Sequence, residues 1–132
     1  RYGWKWVIPL TSRYGNGYVY SSSSCSQDEA EKELRASLGL LDDPAPARHL
    51  KMRIGRVTKH WNRNCLAVGL SQGFIEPLEA TALLFIQRTA SAFLEVLEAG
   101  DFSQGARAYN QRINEHFEGT RDYIVTHYKT NS

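Results

Sequence analysis

Asn64-Cys65-Leu66-Ala67-Val68-Gly69-Leu70-Ser71-Gln72-Gly73-Phe74-Ile75-Glu76-Pro77-Leu78-Glu79-Ala80-Thr81 is the stretch on which the reading of this chain turns. Cys65 to Leu70 is a short apolar run suited to a buried strand. The small residues from Gly69 to Gly73 read as a loop, and Glu76-Pro77-Leu78-Glu79 leads into a long helical pattern. A helix start presents backbone N–H groups without intrahelical partners and the positive end of the helix dipole. That combination suits an anion, a phosphate or a flavin carbonyl. On spacing alone the plainer reading leads: a strand-to-helix connection whose Glu76 and Glu79 simply favour the dipole.

Downstream, the helix runs to about Glu98 with Leu83, Ile86, Ala90, Phe93 and Leu97 inward, and Gly100 ends it. A last helix carries Phe102, Ala106, Tyr109, Ile113, Phe117, Ile124 and Tyr128 at helical spacing. Its Arg121 and Asp122 are neighbours in sequence, so they point apart and need not pair. Upstream, Asn62-Arg63-Asn64 is a turn. Leu50, Met52 and Ile54 alternate with Lys51 and Arg53 as a half-buried strand. Asp42 to Ala47, with Pro44 and Pro46, is a loop. Ser26 and Glu29 form a capping box for a helix that buries Ala30, Leu34 and Leu38 and stops at Gly39. Gly3 to Leu10 reads as a strand with Trp4, Trp6 and Ile8 on one face, ended or set at an edge by Pro9. Asn16-Gly17 gives the turn signal, and Gly17 to Ser21 returns as the second strand of a hairpin. The pattern is α+β: hairpin, helix, short strands and two long C-terminal helices. Nothing obvious in the chain covers the hairpin's aromatic face.

The 132 residues suffice for one domain with a core, and 42% hydrophobic with 23% charged residues is an ordinary globular balance. A net charge of +2 is too small to suggest nucleic acid. No apolar run has the length that spans a membrane, and no signal-peptide pattern opens the chain. Cys25 and Cys65 lack metal-ligand spacing, and His49, His60, His116 and His127 are scattered, so no metal site is expected. The cysteines read as reduced, partly buried thiols of a cytoplasmic protein. The Arg53, Arg56, Lys59 and Arg63 cluster reads as a solvated face. The chain begins at Arg1, on strand-like sequence, and Met52 is its one methionine, so further sequence is expected upstream.

Glu76-Pro77-Leu78-Glu79-Ala80-Thr81, after the Gly69-Leu70-Ser71-Gln72-Gly73-Phe74 loop, resembles the flavin-dependent halogenases of the tryptophan-halogenase type. Gly3-Trp4-Lys5-Trp6-Val7-Ile8-Pro9 is similar to their second signature, Trp-x-Trp-x-Ile-Pro. Gly55-Arg56, Trp61 and Asn64 are similar to the approach to the first signature. Arg121-Asp122-Tyr123-Ile124-Val125, with His127-Tyr128-Lys129, is similar to the helix found there. The resemblance spans nearly the whole chain.

It implies part of a flavin monooxygenase-like, FAD/NAD(P)-binding fold, with residues 1–132 a single fragment of the catalytic domain. The Gly-rich FAD fingerprint and a catalytic lysine are expected upstream, since no G-x-G-x-x-G occurs here. It also implies the chemistry. Reduced FAD reacts with oxygen to a C4a-hydroperoxide, halide attacks it, and the hypohalous acid formed halogenates tryptophan or another indole or pyrrole. A separate flavin reductase is the implied partner. Glu79 matches the active-site glutamate, and Thr81 and Ala82 match the positions whose backbone N–H groups bind halide. Ala82 stands where glycine is usual and Ala80 where serine is usual, which bears on halide affinity and substrate class. Val68, Gly69 and Leu70 match the segment passing the flavin. Trp4, Trp6, Ile8 and Pro9 match the motif lining the route between flavin and substrate, though two tryptophans on a sheet face also read as packing. The fragment alone is expected neither to bind FAD tightly nor to halogenate. Alternatives remain: a flavin-dependent hydroxylase of the same superfamily, a non-catalytic module, and a hydrolase built on Gly69-x-Ser71-x-Gly73.

Overall fold

The structure, a computed structural model, describes residues 2–130, and of Glu79 the backbone alone. The chain divides into two compact units, Arg1–Lys51 and Met52–Ser132.

In the first unit, strands β1 (Gly3–Pro9) and β2 (Tyr14–Tyr20) form an antiparallel hairpin. The turn lies earlier than Asn16-Gly17 suggested: Leu10 N–H donates to the Arg13 carbonyl at 2.8 Å, and Asn16 and Gly17 lie within β2, paired with Val7 and Trp6. The glycines serve packing. A Cβ at Gly17 would fall 2.2 Å from Trp6 Cε2, and one at Gly15 3.3 Å from Trp6 Cζ3, so the indole lies across bare backbone. Helix α1 (Gln27–Leu38) carries the expected capping box: Glu29 N–H donates to Ser26 Oγ at 3.3 Å, and Ser26 N–H to the Glu29 carboxylate at 2.9 Å. Gly39 ends it in the left-handed conformation. Tyr18 from β2 donates to Glu33 on α1 at 3.0 Å. Arg35 holds the proline loop by donating to the Asp43 and Ala45 carbonyls at 2.9 and 2.6 Å.

The expected strand at Leu50, Met52 and Ile54 is absent: the segment is irregular and all three side chains are exposed. Among the described residues no strand pairs with it, so the alternation there builds no sheet face. The run from Cys65 to Leu70 is also not one buried strand. Only Cys65–Leu66 is paired as a strand, Cys65 is exposed, and a single 3-10 turn follows at Gly69–Ser71.

In the second unit the strands are two residues long. β3 (Gly55–Arg56) pairs with β6 (Gly73–Phe74), and β4 (Trp61–Asn62) with β5 (Cys65–Leu66) across the expected turn at Arg63. They lie against helices α2 (Thr81–Ala99) and α3 (Phe102–Thr130), joined through Gly100. Phe85, Ala92, Tyr109, Ile113 and Phe117 form the core, with Trp61, Leu66, Ile75, Phe93 and Val96 packed on it. Phe85 stacks on Phe117 at 4.1 Å, and Trp61 meets Phe93 and Tyr109 edge-on. Of the stripe expected on α3, Tyr109, Ile113 and Phe117 supply the core and Ile124 is buried, while Phe102 and Tyr128 are exposed. On α2 the buried row is Thr81, Phe85, Thr89 and Ala92, while Leu83, Ile86, Ala90 and Leu97 are exposed. The helix has two candidate faces, and the one rich in leucine is not the one buried in this unit.

A row on α3, one turn apart, grips the segment before β4. Asn110 accepts from Trp61 N–H at 2.8 Å and donates to Trp61 C=O at 2.8 Å. Asn114 lies 3.0 Å from His60 Nε2, and Glu118 accepts from Arg56 Nε and Nη2 at 3.0 and 2.8 Å. Arg56 is therefore a paired cation and not part of a solvated cluster. Arg121 does pair with Asp122, at 2.8 Å, and with Glu118. The long guanidinium side chain reaches back to its sequence neighbour, which argument from helix spacing missed.

Gly17→Ala is expected to cost about 1–3 kcal/mol, the usual range for overpacking, read as a lower midpoint in thermal unfolding. His60 is 1% exposed, and its Nδ1 has no hydrogen-bond partner. Burial, reinforced by the Arg56 charge, holds its pKa below the ordinary 6.5, against the opposing bond to Asn114. Below that value the unfolded chain binds more protons than the folded one. This contribution to stability is thus whole above pH 6.5 and is lost as pH falls through the folded value. Denaturant titrations from pH 7.5 to 5 should show a loss of stability that is smaller in His60→Gln, which keeps a polar group there but cannot take up the proton.

Candidate functional site

Between β6 and α2 the chain folds on itself. Pro77 opens a 3-10 turn over Leu78–Ala80, and Ala80 takes φ 54°, ψ 30°, a left-handed conformation rare for a residue with a Cβ. This kink lets α2 start at Thr81. The Thr81 hydroxyl donates to the Glu76 carbonyl at 3.0 Å, and its amide donates to the Leu78 carbonyl. The Glu76 carboxylate accepts from the Tyr128 hydroxyl near the end of α3. The Glu76-to-Thr81 turn is therefore held at both its backbone and its acid.

A small cavity of about 60 Å³ opens beside the turn, lined by residues that include Gly69, Leu70, Phe74, Glu76, Thr81 and Ala82. Four sequence-predicted site residues meet here: Gly69 and Leu70 on one wall, Thr81 and Ala82 at the helix start. Val68 is next to that wall and partly exposed, and Leu70 is the most exposed of the segment at 80%. Gly69 adopts φ 63°, which lets the chain turn tightly at the cavity's edge. The start of α2 carries the positive end of the helix dipole, which favours an anion beside this lining. Thr81 N–H is occupied by Leu78, and Ala82 follows it in the first turn.

The Glu79 side chain lies outside the described residues; its backbone is in the 3-10 turn, between Leu78 and Ala80. Trp4, Trp6, Ile8 and Pro9 belong to the first unit. There Trp4 and Trp6 are half-buried and Ile8 and Pro9 exposed on β1.

Ser71 is spent locally. Its hydroxyl donates to the Val68 carbonyl at 2.9 Å and accepts from Val68 N–H at 3.1 Å. A nucleophile elbow needs strand, serine and helix in succession; Ser71 instead closes a single 3-10 turn before β6. Sequence reasoning passed over Gln72 and Thr89, both fully buried. Gln72 Nε2 donates to Thr89 Oγ1 at 2.9 Å, and Thr89 Oγ1 lies 3.1 Å from Gln72 Oε1. The available signal was helical spacing: Thr81, Phe85 and Thr89 recur every four residues, the period of one face.

The family model for tryptophan halogenase matches residues 1–132. The chain belongs to the tryptophan halogenase family. It is 43% identical over 127 residues to the tryptophan 6-halogenase SttH of Streptomyces toxytricini, covering 96% of this chain and 24% of that protein. It is 41% identical over 128 residues to the 7-chloro-L-tryptophan 6-halogenase KtzR of Kutzneria sp. (strain 744), covering 96% and 25%. The crystal structure of SttH superposes with a TM-score of 0.89 at 42% identity, over 96% of this chain and 25% of that one. BrvH, a flavin-dependent halogenase from Brevundimonas sp. BAL3, superposes at 0.84 with 38% identity, over 97% and 26%. The chain thus spans about a quarter of the length of the relatives it matches, and its α+β fold is a part of the flavin-dependent halogenase fold. No helix among the described residues is long and apolar enough to cross a membrane.

Ala80 supplies a direct check on the turn. Ala80→Gly removes the Cβ penalty of the left-handed conformation, and a rise in stability of about 1 kcal/mol is expected, seen as a higher midpoint in chemical denaturation.

Proposed function

We propose that residues 1–132 are one segment of the catalytic domain of a halogenase that uses reduced FAD and halide to halogenate tryptophan or another indole- or pyrrole-like aromatic. The observation that carries this reading is the meeting of Gly69 and Leu70 with Thr81 and Ala82 around one cavity at a helix start. The family match over residues 1–132 supports it.

The residues present suit a flavin on one side. Val68 and Leu70 offer exposed apolar surface, and Gly69 puts no side chain between backbone and ligand, which fits a flat ring edge. In this reading Val68, Gly69 and Leu70 are the wall against the cofactor. The chemistry that bound reduced FAD supplies is oxidation of halide by dioxygen to hypohalous acid. The first-turn amides at Thr81 and Ala82 would hold the halide, since N–H donors attract an anion without giving up a proton. Thr81 can take part if its amide shares or releases the Leu78 carbonyl.

Glu79 is assigned to the aromatic. Hypohalous acid delivers halogen to a ring carbon: the O–X bond breaks as the C–X bond forms, hydroxide leaves, and the ring proton lost afterwards completes a water molecule. A carboxylate can hold the oxidant by hydrogen bond, stabilise the cationic ring and take that proton. Trp4 and Trp6, with Ile8 and Pro9, are assigned to the lining between flavin and aromatic, where bulk keeps the substrate from the cofactor. A separate flavin reductase supplies the reduced cofactor. The unpaired Cys25 and Cys65 support a reducing, cytoplasmic setting. Residues 1–132 by themselves are assigned no turnover.

In the complete gene product, Glu79→Gln should lower the halogenation rate at least about 100-fold, the scale of general acid–base and charge stabilisation, while flavin oxidation continues. Product analysis with and without chloride decides the chemistry. A hydroxylated product formed equally without halide would overturn the halogenase assignment in favour of a hydroxylase.

A further inference from the structure

Gln72 buries four polar groups, two of its backbone and two of its side chain. Its side chain is 0% exposed, as is that of Thr89. Carboxamide and hydroxyl meet at 2.9 and 3.1 Å. The Gln72 amide donates to the Gly69 carbonyl at 2.9 Å, and its carbonyl accepts from Val57 N–H at 3.0 Å. One residue therefore closes the Gly69–Ser71 turn, continues the β3–β6 pairing and locks both to α2.

Thr89 lies on the same buried row as Thr81, two helical turns further along. α2 is a rigid rod between them. Its first residues, Thr81 and Ala82, face the cavity, and its Thr89 grips the loop that brings Gly69 and Leu70 to the same cavity. The opposite walls are thus tied at a fixed separation by a buried amide–hydroxyl pair. Such a pair adds little net stability over well-packed apolar groups, whereas removing one partner strands the other. What it gives over an apolar contact is direction: a hydrogen-bonded pair has one register, a greasy contact several.

We propose that Gln72 and Thr89 are positioning residues that set the distance between the Gly69–Leu70 backbone and the amides at the start of α2, and so govern capture of halide more than binding of the aromatic. This rests on the function proposed above.

The test uses the complete gene product with Thr89→Val, which keeps the shape and loses the hydroxyl, and Thr89→Ser, which restores the hydroxyl. Three quantities are read: the KM for chloride, the KM for the aromatic, and halogenated product formed per flavin oxidised, with hydrogen peroxide as the uncoupled product. Thr89→Val should raise the chloride KM about tenfold, a loss near 1.4 kcal/mol. It should leave the aromatic KM within about twofold and divert flavin oxidation to peroxide. Thr89→Ser should recover most of the coupling. Hydrogen exchange in the same variants gives an arm independent of turnover: amides of residues 69–73 should exchange at least about tenfold faster in Thr89→Val, with those of Ile113 and Phe117 unchanged. Lower thermal stability with an unchanged chloride KM, or unaltered exchange in the loop, overturns the proposal. A wild-type protein that forms no halogenated product removes the halogenase reading and the halide role with it, while the exchange arm still decides whether the pair positions the loop.

Discussion

The second unit depends on the hold of α3 over the stretch from Arg56 at the end of β3 to Trp61 at the start of β4. Three side chains one turn apart, Asn110, Asn114 and Glu118, meet Trp61, His60 and Arg56 in order. The Asn110 carboxamide behaves as a strand neighbour, accepting from one backbone N–H and donating to the same residue's carbonyl. It adds a bonded edge to β4, and strands this short hold little stability of their own. With it, Trp61 is placed among Phe93, Phe102 and Tyr109, and the chain leaves β5 aimed at the loop that carries the site.

From that anchor the construction continues through buried polar pairs as much as through apolar packing. Thr81 ties the helix start to Glu76, and Thr89 ties the helix middle to Gln72. Each satisfies groups that would otherwise be buried and unbonded. The consequence for α2 is a division of labour between its faces: one holds the loop and the core, while the other leaves Leu83, Leu94 and Leu97 in the open.

Much of this was legible in the sequence wherever a local rule acts alone. Ser26 with Glu29, Gly39 and Gly100 marked helix ends because caps are chemistry between near neighbours. The stripe on α3 could be read because its apolar residues keep to one face. Asn16-Gly17 misled because glycine is used both to turn a chain and to make room for a neighbour, and only the tertiary position of Trp6 tells these apart. The inward face of α2 misled because hydrophobicity was taken as burial, whereas two threonines sit on the packed side. The strand expected at Leu50 to Ile54 lacked what no local pattern reports, a partner strand. Gly69, Leu70, Thr81 and Ala82, singled out by motif, line one cavity. Gln72 was passed over, because nothing in a glutamine between serine and glycine says that its partner lies 17 residues on.

The indole of Trp6 across Gly15 and Gly17 has a further meaning. Where side chains from both strands share a surface, losing one is partly masked by its neighbours. Here β2 contributes no atoms beyond its backbone at those two positions, so between Trp4 and Ile8 the relief of that face is written by Trp6. A smaller side chain in place of Trp6 would leave a trench floored by peptide groups, with its depth set directly by the side chain chosen. The contour of the hairpin at these positions is therefore set on β1, while the backbone of β2 supplies its floor.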